Sequence, residues 1–264
     1  MAEISKPIFI VGLNKSGTSL LYLAMSRHPA LSVIRSFRPP RGPVEADRPG
    51  RAMLYMEDYG IGEGHRIPGL PPKLAPQTGA NHFAAGDAMR AHRLTESDVE
   101  PGEAASTASA YVSAMIDPSA RLCEKSPPNF IRTRYLQALF PDATFIALTR
   151  DPLANVAANG KKRTKWGDVA LQAEHWAEAH RLFLEDRPRL HRCLLIRYED
   201  LVADVEGVLR RVCAFCGLDL HPSMVGVAEV DPTVNARMVA LLTDEEKAAV
   251  AARCGRVAGL AGVA

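Results

Sequence analysis

The sequence has few cysteines, almost balanced charge and no long apolar run, and each of these absences narrows its possible function. Five cysteines scattered through 264 residues argue against the disulfide framework of a small secreted protein. A formal net charge of +2 argues against a non-specific nucleic-acid binder, so any basic site must be local. No apolar run approaches the ~20 residues that a membrane-spanning helix needs.

The N-terminus also lacks a basic region, a long apolar stretch and a small-residue cleavage site, the three features of a signal peptide. We therefore expect a cytoplasmic protein. Cys213 and Cys216 have the spacing of a redox or zinc pair, but no second pair of ligands lies at zinc-site spacing. Both thiols belong to an amphipathic run, which favours core packing, and we expect no metal site.

Apolar strand-like runs alternate with helical patterns along most of the chain. This alternation predicts the α/β class, with a doubly wound parallel sheet flanked by helices, in a single domain spanning 1–264. Ligands of such sheets bind beyond the carboxyl ends of the strands. The predicted strands are Ile8–Val11, 31–34, Arg121–Lys125, Thr144–Thr149 and 193–198, and the predicted helices include 106–116, 126–139, 199–216, 243–255 and those that begin at Pro152 and Asp168.

The stretch 35–102 lacks regular periodicity and is rich in proline and glycine. A long irregular stretch inside a compact domain is usually either a functional lid or disordered. We expect this insertion to form a lid over the site of an acceptor substrate. A partly disordered surface insertion is nearly as well supported by the sequence.

A strand, a loop of small and polar residues and a helix follow one another near the N-terminus. This arrangement points backbone N–H groups and a helix N-terminus at an anion. After the strand Ile8–Val11, Lys15 adds a mobile cation, and Ser16, Thr18 and Ser19 add hydroxyl donors. We interpret the loop as a phosphate or sulfate cradle. The alternative is an ordinary turn whose hydroxyl groups only cap the helix.

The order of residues in this loop does not fit a nucleotide-hydrolysing P-loop, in which the lysine follows the second glycine. Here Lys15 precedes Gly17. Residues 12–18 instead resemble the 5′-phosphosulfate loop of sulfotransferases that use 3′-phosphoadenosine 5′-phosphosulfate (PAPS). That family includes bacterial, carbohydrate and tyrosylprotein sulfotransferases, and the resemblance implies a P-loop-like sheet.

Arg150-Asp151-Pro152 resembles the second signature of this family, in which the arginine binds the 3′-phosphate of the nucleotide. Arginine suits that role because its planar fork makes bidentate bonds to phosphate oxygens. The family usually has a serine eight positions later, where this chain has Ala158. Lys162 would lie on the same helix face and would supply a charge in place of the missing hydroxyl.

Two further segments extend the resemblance, which runs from Ile8 to Gly217 apart from the 35–102 insertion. Glu124-Lys125-Ser126-Pro127 is similar to the family segment whose lysine lies near the transferring sulfuryl group. The segment that begins at Tyr198 resembles one whose tyrosine lies near the nucleotide. The resemblance therefore implies that Lys15 and Lys125 are catalytic cations, and that the nucleotide is bound by Asn14, Lys15, Ser16, Gly17, Thr18, Ser19, Arg150, Lys162 and Tyr198.

The expected activity is transfer of a sulfuryl group from PAPS, without a metal, to a hydroxyl or amine of a small-molecule, sugar or lipid acceptor. Such a transfer needs a general base. Glu45 is slightly favoured, and Asp47 and His82 are the alternatives. A P-loop kinase and a non-catalytic nucleotide-binding module are the rival functions. Nucleic acid and membrane are not expected as partners, and the sequence leaves the oligomeric state and the acceptor open.

Overall fold

Five parallel strands form one sheet in the order β2-β3-β1-β4-β5. The computed structural model describes residues 4–36, 61–74, 86–160, 168–226 and 231–262. The predicted α/β class with a parallel sheet is confirmed. The strands are β1 (Ile8–Val11), β2 (Leu31–Ser32), β3 (Arg121–Lys125), β4 (Thr144–Thr149) and β5 (Cys193–Arg197).

Helices cover both faces of the sheet and connect its strands. They are α1 (Thr18–Met25), α2 (Gly86–Ala91), α3 (Glu103–Ala114), α4 (Thr133–Leu139), α5 (Pro152–Asn159), α6 (Val169–Asp186), α7 (Tyr198–Ala203), α8 (Val205–Cys216), α9 (Val234–Val239) and α10 (Asp244–Ala261). Short 3₁₀ turns lie at Gly64–Arg66, Glu96–Asp98, Pro127–Ile131, Arg187–Arg189 and Pro222–Met224. None of the helices in the described ranges is long and apolar enough to cross a membrane.

β1 is the centre of the sheet, and its side chains divide the core in two. Phe9 and Val11 pack in the cluster that includes buried side chains of α6 and α10. Ile8 and Ile10 pack on the opposite side, with α1 and α8. Successive strand residues point to opposite faces, so an unbroken apolar run is what a strand covered on both faces requires.

The chain changes direction across the sheet at β1. β1 pairs with β3 on one side and with β4 on the other, and all these pairings are parallel. The loops that follow β1, β3 and β4 therefore emerge at the same edge of the sheet. A crevice at such a switch point is where ligands of doubly wound sheets bind.

Three predicted helices differ from the structure. The helix expected over 126–139 begins as a 3₁₀ turn and is interrupted at Arg132 before α4. The helix expected over 199–216 is divided at Asp204, whose non-helical backbone ends α7 and whose carboxylate accepts from the Gly207 N–H at 2.8 Å to cap α8. The last helix does not stop at Gly255, which is accommodated within α10, and instead ends at Gly262 with φ 70°.

Candidate active site

The loop between β1 and α1 is curled by two residues in the left-handed region. Lys15 has φ 67° and Gly17 has φ 89°, and the Ser16 N–H donates to the Leu13 carbonyl at 3.1 Å. The N–H groups of Thr18 and Ser19 fall in the first turn of α1, where a helix offers no acceptor of its own. The loop therefore presents the donors that an anion needs.

Arg150 follows β4 and is joined directly to this loop. Its Nη1 donates to the Lys15 carbonyl at 2.7 Å, and its guanidinium lies 4.3 Å from the centre of the Tyr198 ring. Only 5% of Arg150 is exposed, and this burial lowers the pKa of its guanidinium. The structure thus brings together three of the residues that the sequence placed at the nucleotide.

Gly17 is required by the close approach of Tyr198. A Cβ at position 17 would lie 2.5 Å from Tyr198 Cδ2, and the positive φ of Gly17 disfavours any other residue. The Tyr198 ring therefore packs against both the loop backbone and the Arg150 guanidinium. This packing fixes the distance between the loop and the end of β4.

Asn155 holds the other side of the loop. Its Nδ2 donates to the Asn14 carbonyl at 3.0 Å and to Ser16 Oγ at 3.1 Å. Because Asn155 is in the first turns of α5, this face of the helix is directed at the loop, and Ala158 follows one turn later on the same face. No role was predicted for Asn155 from the sequence.

Asn235 contacts the Arg150 guanidinium and was not predicted from the sequence as a site residue. Its Oδ1 accepts from Arg150 Nε at 3.0 Å and from Nη2 at 2.7 Å. Its own Nδ2 donates to Glu199 Oε1 at 2.8 Å, and the same oxygen accepts from the Asp151 N–H at 3.1 Å. The short helix α9, which carries Asn235, was not predicted, so no local pattern marked this residue.

Lys125 ends β3 beside the start of the loop, since it is paired with Ile10 in the register of the sheet. Its Nζ donates to Glu63 Oε1 at 2.5 Å, and both side chains are largely buried. Glu63 lies in the 35–102 insertion, which was expected only in general terms to lie over the acceptor site. The described part of the insertion therefore contacts the predicted catalytic lysine.

Glu124, next to Lys125, is fully buried and accepts three hydrogen bonds. They come from the Gly64 N–H at 3.0 Å, from Asn129 Nδ2 at 3.1 Å and from Ser126 Oγ. Burial raises the pKa of this carboxyl to about 7, against the lowering effects of Ser126 and Lys125. Burying an ionised carboxylate costs free energy, so the buried position of Glu124 at the edge of the site needs a structural reason.

Residues 7 to 222 match the family model described as "Sulfotransferase family". This chain belongs to the sulfotransferase family. The transfer of sulfuryl groups is the reaction that defines such enzymes, and it accounts for an anion-binding loop with lysine and arginine around it. A search of curated proteins finds no match.

Solved structures share the fold of this sulfotransferase. Sulfotransferase STF1 from Mycobacterium tuberculosis H37Rv has a TM-score of 0.63 and 18% identity, covering 95% of this chain and 78% of that chain. The sulfotransferase domain of the Synechococcus PCC 7002 olefin synthase has a TM-score of 0.59 and 20% identity, covering 99% and 95%. The domain from the curacin biosynthetic pathway has a TM-score of 0.55 and 18% identity, covering 99% of both chains. At these identities the likeness concerns the fold alone.

Some predicted site residues of this sulfotransferase fall outside the described residues. These are Lys162 and the three candidate bases, Glu45, Asp47 and His82. Among the residues that the structure describes, no group of three or more His, Cys, Asp or Glu side chains could hold a metal ion.

Proposed function

We propose that this sulfotransferase transfers the sulfuryl group of PAPS to a hydroxyl or amine of a small-molecule, sugar or lipid acceptor. The hydrogen bond from Arg150 to the Lys15 carbonyl carries the proposal, because it links two anion-binding elements at the carboxyl edge of the sheet. The two elements would hold the two phosphate-bearing ends of one nucleotide.

The curled loop supports the position of the 5′-phosphosulfate. Backbone N–H groups of residues 16–19 and the ammonium of Lys15 would bind its oxygens. Arg150 would bind the 3′-phosphate, and its stacking on Tyr198 restricts the plane of the guanidinium. Two of the five N–H groups of the Arg150 guanidinium donate to Asn235. The 3′-phosphate would therefore either share the guanidinium with the Asn235 side chain or displace that side chain.

In the proposed reaction, an acceptor oxygen or nitrogen forms a bond to sulfur while the bond from sulfur to the bridging phosphate oxygen breaks. Adenosine 3′,5′-bisphosphate leaves, and the acceptor proton passes to a base. Negative charge grows on the bridging oxygen, where we place Lys15. Lys125 would stabilise the oxygens of the transferring group, since fixed cations are most effective where charge develops.

Glu63 is better supported as the general base than Glu45. Its side chain contacts Lys125 at 2.5 Å, which would place it beside the transferring group. Glu45 stays a proposal from the sequence. The contact of Glu63 with Lys125 also supports the proposal that the 35–102 insertion forms the wall of the acceptor site.

Two measurements test the function. Adenosine 3′,5′-bisphosphate should raise the melting temperature without magnesium, because it binds only the native state. Labelled sulfate from PAPS should appear in at least one member of a panel of phenols, sugars and amines. A thermal shift with ATP and magnesium but none with the bisphosphate would indicate the kinase alternative. Bisphosphate binding without transfer to any acceptor would favour a non-catalytic module.

A further inference from the structure

We propose that Glu124 is a positioning residue whose buried carboxylate holds the backbone of Gly64 and thereby keeps Glu63 against Lys125. The role in catalysis rests on the proposed function. The contact itself does not, because it is built from residues of β3 and of the insertion alone.

Two consecutive residues of the insertion are attached to two consecutive residues of β3. Glu63 reaches Lys125 through its side chain, and Gly64 reaches Glu124 through its N–H. Successive strand residues point to opposite faces, so the two contacts lie on either side of the end of β3. A segment held at both sides cannot rotate about one contact, and this fixes where the Glu63 carboxylate lies.

Gly64 is set against Glu124 more closely than another residue would allow. A Cβ at position 64 would overlap the Glu124 carboxylate and its Cγ. Gly64 is not among the glycines with positive φ, so space alone, and not backbone conformation, requires glycine here.

The carboxylate of Glu124 is itself held in place. Ser126 Oγ donates to the same oxygen as Gly64, and Asn129 Nδ2 donates to the other oxygen. Both partners follow β3 directly, so the anchor for Gly64 belongs to the sheet edge. This arrangement gives a reason for an acidic side chain at a fully buried position.

Other contacts, which do not involve Glu124, hold the residues just before Glu63. The Gly62 N–H donates to the Ile34 carbonyl at 2.8 Å, and Ile61 forms a bridge with Arg35. Loss of the Glu124 contact should therefore leave Ile61 and Gly62 in place and release Glu63 from Lys125. The exposure of the Lys125 amine is the direct readout of that release.

The experiment uses brief acetylation of the ligand-free protein with acetic anhydride, followed by peptide mass spectrometry. The variants are Gly64→Ala, Glu124→Ala and Glu124→Gln. Gly259→Ala is the matched glycine control, because a Cβ there meets open space on α10. Lys247, on the exposed side of α10, is the internal reference for labelling.

Gly64→Ala and Glu124→Ala should raise the acetylation rate of Lys125 about tenfold, the effect of losing one hydrogen bond. Glu124→Gln should stay near the wild-type rate, since its amide oxygen can accept from Gly64. Lys247 labelling and the Kd of adenosine 3′,5′-bisphosphate should not change in any variant. With an acceptor from the panel, kcat should fall in Gly64→Ala and Glu124→Ala, while the KM for PAPS should not change.

Unchanged Lys125 labelling in Gly64→Ala would overturn the proposal, even if Glu124→Ala does not fold. Equal labelling in Glu124→Gln and Glu124→Ala would also overturn it, because the oxygen acceptor would then not matter. If the wild type binds no bisphosphate and transfers no sulfate, the proposed function fails while the labelling result still decides the positioning role.

Discussion

At the scale of single residues, the two lysines of the site have different surroundings. Lys15 lies in a strained left-handed position in the loop, whereas Lys125 is buried at the end of β3 and paired with Glu63. A cation carried on the loop suits a leaving phosphate, and a desolvated one at the end of a strand suits the transferring group. We therefore propose that the two lysines act at different points of one reaction.

Lys15→Ala and Lys125→Ala should each lower kcat about a hundredfold, or ~3 kcal/mol, because each removes a cation from the developing charge. Binding of adenosine 3′,5′-bisphosphate should weaken less than turnover falls. The measurement is kcat by labelled-sulfate transfer, beside Kd by calorimetry. Lys247→Ala, an exposed lysine of α10, is the control. If kcat stays within a few-fold of wild type in either variant, that lysine has no part in the mechanism.

Ala158 is the clearest departure from the family pattern, and its half-buried position on the loop-facing side of α5 makes it testable. Ala158→Ser should add a donor to the 3′-phosphate and raise affinity for adenosine 3′,5′-bisphosphate about tenfold. Affinity for adenosine 5′-phosphate, which lacks that phosphate, should not change. Titration of both nucleotides against both proteins checks this. An equal effect on the two would mean that Ala158 does not face the 3′-phosphate.

At the scale of elements, local sequence patterns predicted the bounds of three strands. β1, β3 and β4 have the predicted bounds, and β1 and β4 are apolar runs long enough for one buried strand each. Lys15 and Arg150 follow β1 and β4, and Lys125 is the last residue of β3, so their common edge was predictable. Glu63 and Asn235 were not predictable, since each acquires its role from a partner more than sixty residues away.

Asn235 connects the short helix α9 to the site. It accepts hydrogen bonds from Arg150 Nε and Nη2, the groups that would bind a phosphate. Asn235→Ala removes this competing acceptor, whereas the Lys15 carbonyl and the Tyr198 ring still hold the guanidinium. We expect affinity for adenosine 3′,5′-bisphosphate to rise about tenfold, the value of one or two displaced hydrogen bonds. Calorimetry with adenosine 5′-phosphate as the control measures this. Weaker binding of the bisphosphate would show that Asn235 aims the arginine instead of competing for it.

At the scale of the whole molecule, the sheet topology collects a site from distant parts of the chain. Loops after β1 and β4 carry the cations that we propose for the nucleotide, and the end of β3 contacts the insertion. Both faces of the sheet are covered by helices, so the carboxyl edge is where polar side chains can gather. Glu124 lies at this edge but is fully buried. Its ionisation therefore affects the stability of the whole protein.

Glu124 should make the protein less stable as pH rises from about 5 to about 8. Burial raises the pKa of its carboxyl from 4.5 to about 7, so the folded state binds more protons than the unfolded state between these values. Stability contributed by the protonated form is therefore lost as pH rises through the window. The loss between pH 5 and pH 8 is about 2.5 kcal/mol, since each pKa unit corresponds to ~1.4 kcal/mol.

Comparison with Glu124→Gln isolates this effect from other titrations. The groups around Glu124 include Lys125, whose charge lowers the pKa of Glu124, and Tyr111, whose own pKa is raised well above the window by burial. Both are present in wild type and variant, so their contributions largely cancel. Between pH 5 and pH 8, urea unfolding should show the free energy of unfolding of the wild type falling relative to that of the variant by about 2.5 kcal/mol. A difference that is the same at both pH values would mean that the Glu124 carboxyl titrates as it does in the unfolded chain.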